Sequence, residues 1–324
     1  MQICFNLCLY LAALSAFLDS MIKTFCILTI FTWACATSVF ASEHFSDHEQ
    51  FCLQQPDKQC LAYINEHIAD SELNSTQWYK GQSYLFDYYY DKNDFETLKA
   101  IVEPFADRDD LPKVFKVQTY FYYAKALRYY NNDKQAKIYA TKAFDNIQQM
   151  YESFSDPMRI LELANLQYVF GNKETAFQML LKAERKFGKS KDPIFNFELH
   201  SNKANVYHGL GDLENAKTSR KKALDWIIPT QHQNKIIIAQ GNLARTYQLL
   251  AEYKQANKYY VAALGNMVTP SDDLIKATYK LRLAEISWQA KDLQQARLWL
   301  QKVDEKHLLS SSHKALCTQL KAAL

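Results

Sequence analysis

Alanine recurs every 40 positions along most of this 324-residue chain. Where two helices cross closely, a small side chain lets the backbones approach, and a larger one overpacks the contact. Alanines that keep this period in three columns therefore predict repeated helix pairs that cross at these positions. The columns are Ala124, Ala164, Ala204, Ala244 and Ala284; Ala136, Ala176, Ala216, Ala256 and Ala296; and Ala143, Ala183, Ala223 and Ala263.

Larger apolar residues fill the positions between these alanines at the three- and four-residue spacing of a helix face. The clearest copy runs from Gly241 to Leu264 and predicts two amphipathic helices joined at Ala251-Glu252. Gly or Asn at the corresponding turns predicts a helix C-cap, and an acidic residue or Asn then starts the next helix. The predicted pairs are 112–130 with 133–149, 157–170 with 173–187, 193–209 with 213–227, 234–250 with 253–267, and 272–290 with 293–306, followed by a lone helix at 311–323.

The regular blocks occupy residues 111–310, and the flanking segments predict further organisation. Residues 71–110 hold a divergent helical repeat, shifted by two positions and marked by Asp94-Phe95. Residues 42–70 predict an N-terminal cap hairpin. Residues 311–324 predict a capping helix, because a terminal repeat must cover the exposed end of the stack.

The N-terminal segment predicts export. Residues 21–41 combine a basic start, an apolar run and small residues before a cleavage point after Ala41, as in a secretory signal peptide. Residues 1–20 are apolar and hold no Lys or Arg, so we interpret them as a mis-called upstream start and Met21 as the true one. An uncleaved anchor built from both apolar runs is one alternative, and lipid attachment at Cys35 is another. The mature chain is therefore expected to be periplasmic or secreted, in a bacterium.

Cysteine usage agrees with export. Cys52 and Cys60 flank a Pro56-Asp57 turn between two helix-like pieces, and a hairpin there would place them opposite each other. An oxidising compartment would then join them in a disulfide. Their spacing differs from that of a redox Cys-x-x-Cys motif. Cys317 is expected to be a buried apolar residue.

The motif Leu-Ala-x-x-Tyr, a Gly/Ala-x turn, then x-Tyr/Leu-x-x-Ala and a late Ala-Leu occurs at 243–264 and largely again at 204–224. This pattern resembles the tetratricopeptide repeat family over residues 111–324. The basic family period is 34 residues, so the period of 40 resembles its longer-repeat branch. The resemblance implies an all-α fold, namely an α-α superhelix, or solenoid, of antiparallel helix pairs with a C-terminal capping helix.

A second resemblance rests on the order of the N-terminal features. A signal peptide, the Cys-x7-Cys hairpin and an aromatic helix at Trp78-Tyr79 are similar to the periplasmic sensor region of some bacterial diguanylate cyclases and histidine kinases. Those proteins continue into a membrane helix and a catalytic domain, whereas this sequence ends at Leu324. The resemblance implies a ligand-sensing module that acts through a membrane-bound signalling partner, or a truncated relative of such a cyclase.

In the tetratricopeptide repeat family, the first helices of the pairs line a concave groove. By register, three rows of positions face it here. They are Tyr122, Glu162, Asn202, Asn242 and Arg282; Lys125, Asn165, Asn205, Arg245 and Glu285; and Arg128, Tyr168, His208, Gln248 and Trp288.

From these rows we select the side chains that suit a peptide. Carboxamides both donate to and accept from a peptide backbone, and arginines hold carboxylates in charge-assisted bonds. Asn205, Asn242 and Arg282 also match three positions of the family's clamp for C-terminal carboxylates, but its two lysine positions hold Ser201 and Thr278 here. The alternative is that the polar residues only solvate a helix face. The predicted partner-binding residues are Asn202, Asn205, Asn242, Arg245, Arg282, Lys125, Arg128, Tyr168 and Trp288.

Composition and motifs narrow the function classes. The net charge of +3, without a Lys/Arg block, argues against nucleic-acid binding. No zinc-protease, nucleophile-elbow or phosphate-loop motif occurs, and His44 and His48 lack partners for a metal site. No catalytic residue, cofactor or metal is expected, and no membrane span in the mature chain. The predicted function is an exported scaffold that binds a peptide or protein partner.

Overall fold

The computed structural model describes residues 57–267 and 272–324, and this part of the chain is helical without a strand. Short 3-10 turns lie at Glu103–Phe105, Ile228–Thr230 and Glu305–His307. The α-helices are α1 (Asp57–Asp70), α2 (Thr76–Asp91), α3 (Phe95–Val102), α4 (Lys113–Tyr129), α5 (Asp133–Phe154), α6 (Pro157–Phe170), α7 (Lys173–Phe187), α8 (Pro193–Gly209), α9 (Leu213–Ile227), α10 (Gln233–Leu249), α11 (Tyr253–Gly265), α12 (Asp273–Gln289), α13 (Leu293–Gln301) and α14 (Ser311–Ala323).

Consecutive helices pack as antiparallel pairs, and the pairs stack on one another. The alanine columns lie at the crossings: all fourteen are buried, and none is more than 2% exposed. The helix backbones therefore approach each other closely at each crossing, where a larger side chain would overpack the contact. The all-α solenoid expected from the sequence is confirmed. The capping helix α14 packs on α12 and buries Cys317, whose thiol pKa is raised by burial.

Five of the turns between paired helices in the described chain share one geometry. In the pair α10–α11, the N–H of Glu252 donates to the carbonyl of Tyr247 at 2.8 Å, which closes a Schellman-type turn. The residue before that donor has a left-handed backbone, and glycine adopts this conformation without strain. The left-handed positions are Asn93 (φ 55°), Asn131 (58°), Gly211 (83°), Ala251 (59°) and Lys291 (65°).

Gly171 occupies the corresponding turn position between α6 and α7, 40 residues from Asn131 and Gly211, but its backbone differs. Gly171 is the C-cap of α6 as predicted, and its N–H donates to the Gln167 carbonyl at 3.0 Å, but its φ of −126° is not left-handed. The next helix nevertheless starts as expected, because the Asn172 side chain accepts a hydrogen bond from the Thr175 N–H at 2.8 Å. Side-chain caps of the same kind occur at Asp94, Asp212 and Asp292.

The helix bounds lie close to those predicted, with two exceptions. The second helix of the first regular pair, predicted to end at 149, continues to Phe154. It stops there because Ser155 turns left-handed (φ 51°) just before Asp156-Pro157, and a residue preceding proline avoids the helical region. The last paired helix, predicted to end at 306, stops at Gln301, and Val303 instead packs into the C-terminal core with Leu308.

The N-terminal end of the described chain packs against the second helix. Cys60 and Ile64 of α1 are buried against Tyr84 and Tyr88 of α2. The predicted disulfide partner Cys52 lies outside the described residues, so the disulfide stays a prediction. The predicted signal peptide at 21–41 lies outside them as well.

The superhelix curves enough to bring its second helix against its tenth. Lys92, just after α2, places Nζ 2.8 Å from the Asp272 carboxylate and 2.9 Å from Oδ1 of the Asn234 side chain. Lys235 of α10 in turn lies 3.8 Å from the Asp91 carboxylate. These contacts join the divergent repeat at 71–110 to the fourth and fifth regular repeats and close one side of the concave groove. None of the described helices is long and apolar enough to cross a membrane.

Candidate functional site: the concave groove

The concave side of the solenoid holds a cavity of about 440 Å³. Helices α2, α4, α6, α8 and α10 provide most of its wall, and each is the first helix of its pair. A volume in this range suits a small ligand or a short segment of a longer one. From the predicted partner-binding set, the cavity lining includes Lys125, Asn202, Asn205 and Asn242.

Carboxamides form the polar floor of this cavity. The Asn165 side-chain Nδ2 donates to Oδ1 of the Asn202 side chain at 2.9 Å, and Asn202 is only 7% exposed. The Asn165 Oδ1 and Gln118 Oε1 atoms are buried without a hydrogen-bond partner among the described residues. Because a buried acceptor without a partner loses the bonds it made in water, both oxygens favour a ligand that brings N–H or O–H donors.

The charged groups around the first cavity are mostly paired. Glu162 and Arg159 form an ion pair at 2.6 Å on α6. Burial raises the pKa of the Glu162 carboxyl, although Arg159 opposes the shift. The Tyr122 hydroxyl donates to Asp87 across α2 and α4. These pairs hold the walls in place and leave the amides as the groups that can exchange hydrogen bonds with a ligand.

A second cavity of about 290 Å³ adjoins the first. The two cavities share Tyr90, Lys125, Asn165 and Asn205, which therefore form the junction between them. Among the predicted residues, Arg128 and Tyr168 line the second cavity. Both are third-row residues near the C-terminal ends of α4 and α6, so the second cavity lies at that end of these helices.

The remaining three predicted residues do not line either cavity. Arg282 and Arg245 both contact the Glu285 carboxylate, at 2.8 and 3.4 Å, and Arg245 also donates to Gln248. Both guanidinium groups are therefore bound to Glu285 and do not line the cavities. Trp288 packs with the C-terminal core under α14. The structure thus separates the predicted set into residues that line the cavities, two arginines bound to Glu285, and Trp288 in the C-terminal core.

The prediction missed one row of the groove, which lies one helical turn before the first predicted row. Each member of this row precedes a residue of the first predicted row by four positions; those first-row residues are Tyr122, Glu162, Asn202 and Asn242. The same helical spacing could have located them, because positions i and i+4 share a face. The missed cavity-lining residues of this row are Gln118, Met158, Glu198 and Ile238. The α2 residues of the wall were also missed, since the divergent copy has a shifted register.

His232 lines the first cavity and has a strongly depressed pKa. Burial, together with nearby Lys235, lowers the pKa of its imidazole to about 3, and burial lowers that of His200 to about 4. Both pKa values lie below the unfolded value of about 6.5. The unfolded chain therefore binds more protons between these values, and stability is complete above pH 6.5 and falls as the pH decreases toward 4.

We expect the variants His200→Gln and His232→Gln each to flatten this loss of stability at acid pH. The measurement is the urea midpoint of the unliganded protein at pH 7.5, 6, 5 and 4. His67→Gln is the control, because that ring contacts the Gln77 carbonyl at the surface. A pH profile unchanged in both variants would contradict the assignment of two neutral histidines to the folded state.

The described residues contain no group of three or more His, Cys, Asp or Glu side chains placed to hold a metal ion. No protein-family model and no curated protein matches the chain. Solved structures do match it. The chain has the tetratricopeptide-repeat fold.

Two of the matching structures align with most of the chain. A Rap protein complexed with competence and sporulation factor has a TM-score of 0.55 and 14% identity, and the match covers 85% of this chain and 83% of that one. NprR in complex with its cognate peptide NprX has a TM-score of 0.52 and 16% identity, with coverages of 85% and 80%. At this identity the likeness concerns the fold alone. The resemblance to periplasmic sensor regions stays a prediction.

Proposed function

We propose that this protein is an exported tetratricopeptide-repeat scaffold that binds a peptide, or a peptide segment of a protein partner, in its concave cavity without catalysis of its own. The observation that carries the proposal is the cavity of about 440 Å³ with a floor of carboxamides. A peptide backbone offers an N–H donor and a C=O acceptor at most residues, and a carboxamide can accept from the first and donate to the second. Asn202, Asn205 and Asn242 are the side chains assigned to this role.

The apolar and aromatic walls agree with the same ligand class. Phe121, Phe197 and Ile194 line the cavity beside the amides. Binding sites of this composition bury ligand side chains on apolar surface and orient the ligand through a few polar groups. The two structures of similar fold were solved with a peptide or a named factor bound, which supports a peptide as the first ligand to test.

Export is part of the proposal and rests on the signal-peptide pattern at 21–41. It is tested by N-terminal sequencing of the protein recovered from the periplasm of an expressing bacterium. A mature N-terminus at Ser42 is expected. An intact N-terminus on cytoplasmic protein would remove export from the proposed function and leave the binding role to be tested separately.

The double variant Asn202→Ala/Asn205→Ala is expected to weaken peptide binding at least tenfold, because two hydrogen-bonding amides are lost from the cavity floor. The measurement uses an immobilised random pentapeptide library, followed by fluorescence titration of the retained sequences. Asn257→Ala is the matched control, since Asn257 is exposed on α11, outside the cavity lining. Equal affinity of the double variant and the wild type would remove the cavity from the proposal.

A second candidate is a sensor of a small ligand that acts through a membrane-bound signalling partner. The closure of the groove by the contact between α2 and α10 favours it, because an enclosed site limits ligand size. A thermal-shift screen with small metabolites and cell-wall peptides distinguishes the two functions. Stabilisation by a metabolite, with no peptide retained, would favour the sensor; absence of any shift would count against it.

A further inference from the structure

A cluster of basic side chains lies at the C-terminal end of α7 and in the loop that follows it. Residues 182–191 contain five exposed Lys and Arg side chains and one acidic residue, Glu184. The three basic residues on the helix share one face, because they are spaced by three and four positions. Among the described residues, none of the five forms an ion pair at 4.0 Å or less. This basic cluster comprises Lys182, Arg185, Lys186, Lys189 and Lys191.

The basic cluster is specific to one repeat. The period of 40 residues places Asp145, Asp225 and Glu305 at the positions that correspond to Arg185, with Gly265 in the remaining copy. Three other copies therefore carry an acid where this copy carries a base. The packing of the helix pairs, which all copies share, does not require the cluster, so the cluster needs an explanation of its own.

The acidic residues close to the basic cluster do not cancel its charge. Glu184 pairs with Lys203 of α8 at 2.8 Å, and the Asp192 side chain caps the N-terminus of α8. On α5, Asp145 and Glu152 are exposed, and neither of them forms an ion pair with the cluster within the described ranges. The surface at the end of α7 therefore stays positive.

A solvent-exposed phenylalanine lies beside the basic cluster. The Nζ atoms of Lys182 and Lys186 lie 5.7 and 5.4 Å from the ring centroid of Tyr151, near the end of α5. Phe154 follows Tyr151 by three positions on the same helix, so the two side chains are neighbours on its surface. Phe154 is 78% exposed. An exposed ring beside several cations suits the interface of a bilayer, where the ring enters the apolar boundary and the cations contact anionic headgroups.

Charge is also divided along the chain. Residues 57–110 contain 12 acidic and 5 basic residues, whereas residues 111–324 contain 19 acidic and 32 basic residues. An anionic surface therefore attracts the regular repeats and repels the N-terminal end of the described chain. This division favours an orientation in which the regular repeats, and with them the basic cluster, face the anionic surface.

We propose that the basic cluster and Phe154 dock the protein on the surface of a bilayer that carries anionic phospholipid headgroups. None of these residues lines either cavity, so the docked protein keeps its concave groove open to a ligand. A bilayer is favoured over an acidic protein, because the exposed ring gains from an apolar phase and not from a charged surface. The inference goes beyond the binding function proposed above and does not depend on it.

The test measures co-sedimentation with vesicles of phosphatidylcholine alone and of phosphatidylcholine mixed with an equal part of phosphatidylglycerol. We expect the wild type to bind the anionic vesicles roughly tenfold or more tightly at low salt and to lose most of this preference at high salt, because salt screens exposed charges. The variant Lys182→Gln/Arg185→Gln/Lys186→Gln/Lys189→Gln should weaken this binding roughly tenfold or more. Phe154→Ser should weaken it severalfold, and Phe154→Leu less, since leucine keeps an apolar side chain.

A matched control removes the same charge from other exposed positions, on α5 and α11, and should keep most of the affinity. It is Lys134→Gln/Lys137→Gln/Lys254→Gln/Lys258→Gln. Neutral vesicles measure any contribution of the apolar runs in residues 1–41, which are the same in every variant, and matching melting temperatures control for folding.

Two results would overturn the bilayer surface outright. They are equal affinity of the two quadruple variants for anionic vesicles, and a wild type without preference for anionic over neutral vesicles. Binding of the wild type to polyglutamate but not to the vesicles would also overturn it and would assign the basic cluster to an acidic protein partner. Each of these results leaves the peptide-binding function to its own test.

Discussion

Replacing Gly241 with alanine is expected to lower the free energy of unfolding by about 3 kcal/mol, near the upper end of the range for overpacked cores. Gly241 lies on α10 where α12 crosses it, and a Cβ there would overlap the hydroxyl and ring of Tyr279, with Cε2 only 2.8 Å away. The ring cannot easily retreat, because its hydroxyl donates to the Ile237 carbonyl at 3.3 Å and it packs on Tyr260. Urea denaturation followed by circular dichroism gives the value.

A matched control is available within the neighbouring helix. Gly265 ends α11 and would place its Cβ in open space. Gly265→Ala should therefore be neutral or stabilise by a few tenths of a kcal/mol, since alanine favours helix more than glycine does. In a Tyr279→Leu background, Gly241→Ala should lose most of its effect. In a Tyr279→Phe background it should keep much of it, because the ring atoms remain. A cost equal to that of Gly265→Ala would contradict the close crossing of α10 and α12.

The variant Lys92→Met is expected to destabilise the protein by about 3–5 kcal/mol, the usual result of removing one partner from a buried ion pair. The Lys92 and Asp272 side chains are each 3% exposed and their charged atoms lie 2.8 Å apart. Methionine preserves the apolar volume but leaves the Asp272 carboxylate without this cation. The measurements are the urea midpoint, which should fall, and the radius of gyration by X-ray scattering, which should increase as the divergent repeat separates from α10 and α12.

Two comparisons isolate the role of burial. Lys99→Met breaks the ion pair with Glu103 at 2.9 Å, but those side chains are 32% and 51% exposed, so a loss of no more than about 0.5 kcal/mol is expected. The double variant Lys92→Met/Asp272→Asn should recover part of the loss, because no uncompensated charge remains. If Lys92→Met and Lys99→Met behaved alike, the closing contact would contribute nothing to the fold.

Repeat register predicts which residues face the groove, but it does not predict which of them bond to one another. Asn202 and Asn242 of the first row and Asn205 of the second line the cavity because both rows follow the register of the alanine columns, and register is readable in a repeat. Arg245 and Arg282 share this register but bind Glu285. Which polar neighbours satisfy each other depends on side-chain conformations and on charges from the next repeat, and a single repeat motif does not encode that choice.

The sequence by itself determined the repeat, the helix pairs and the small residues at their crossings, because these depend on local periodicity and on the size of single side chains. Only the tertiary structure decided how far the solenoid curves. Curvature accumulates from small rotations between repeats, and its outcome is a contact between Lys92 and Asp272, 180 positions apart. That contact closes one side of the groove, and α2 forms part of the cavity wall.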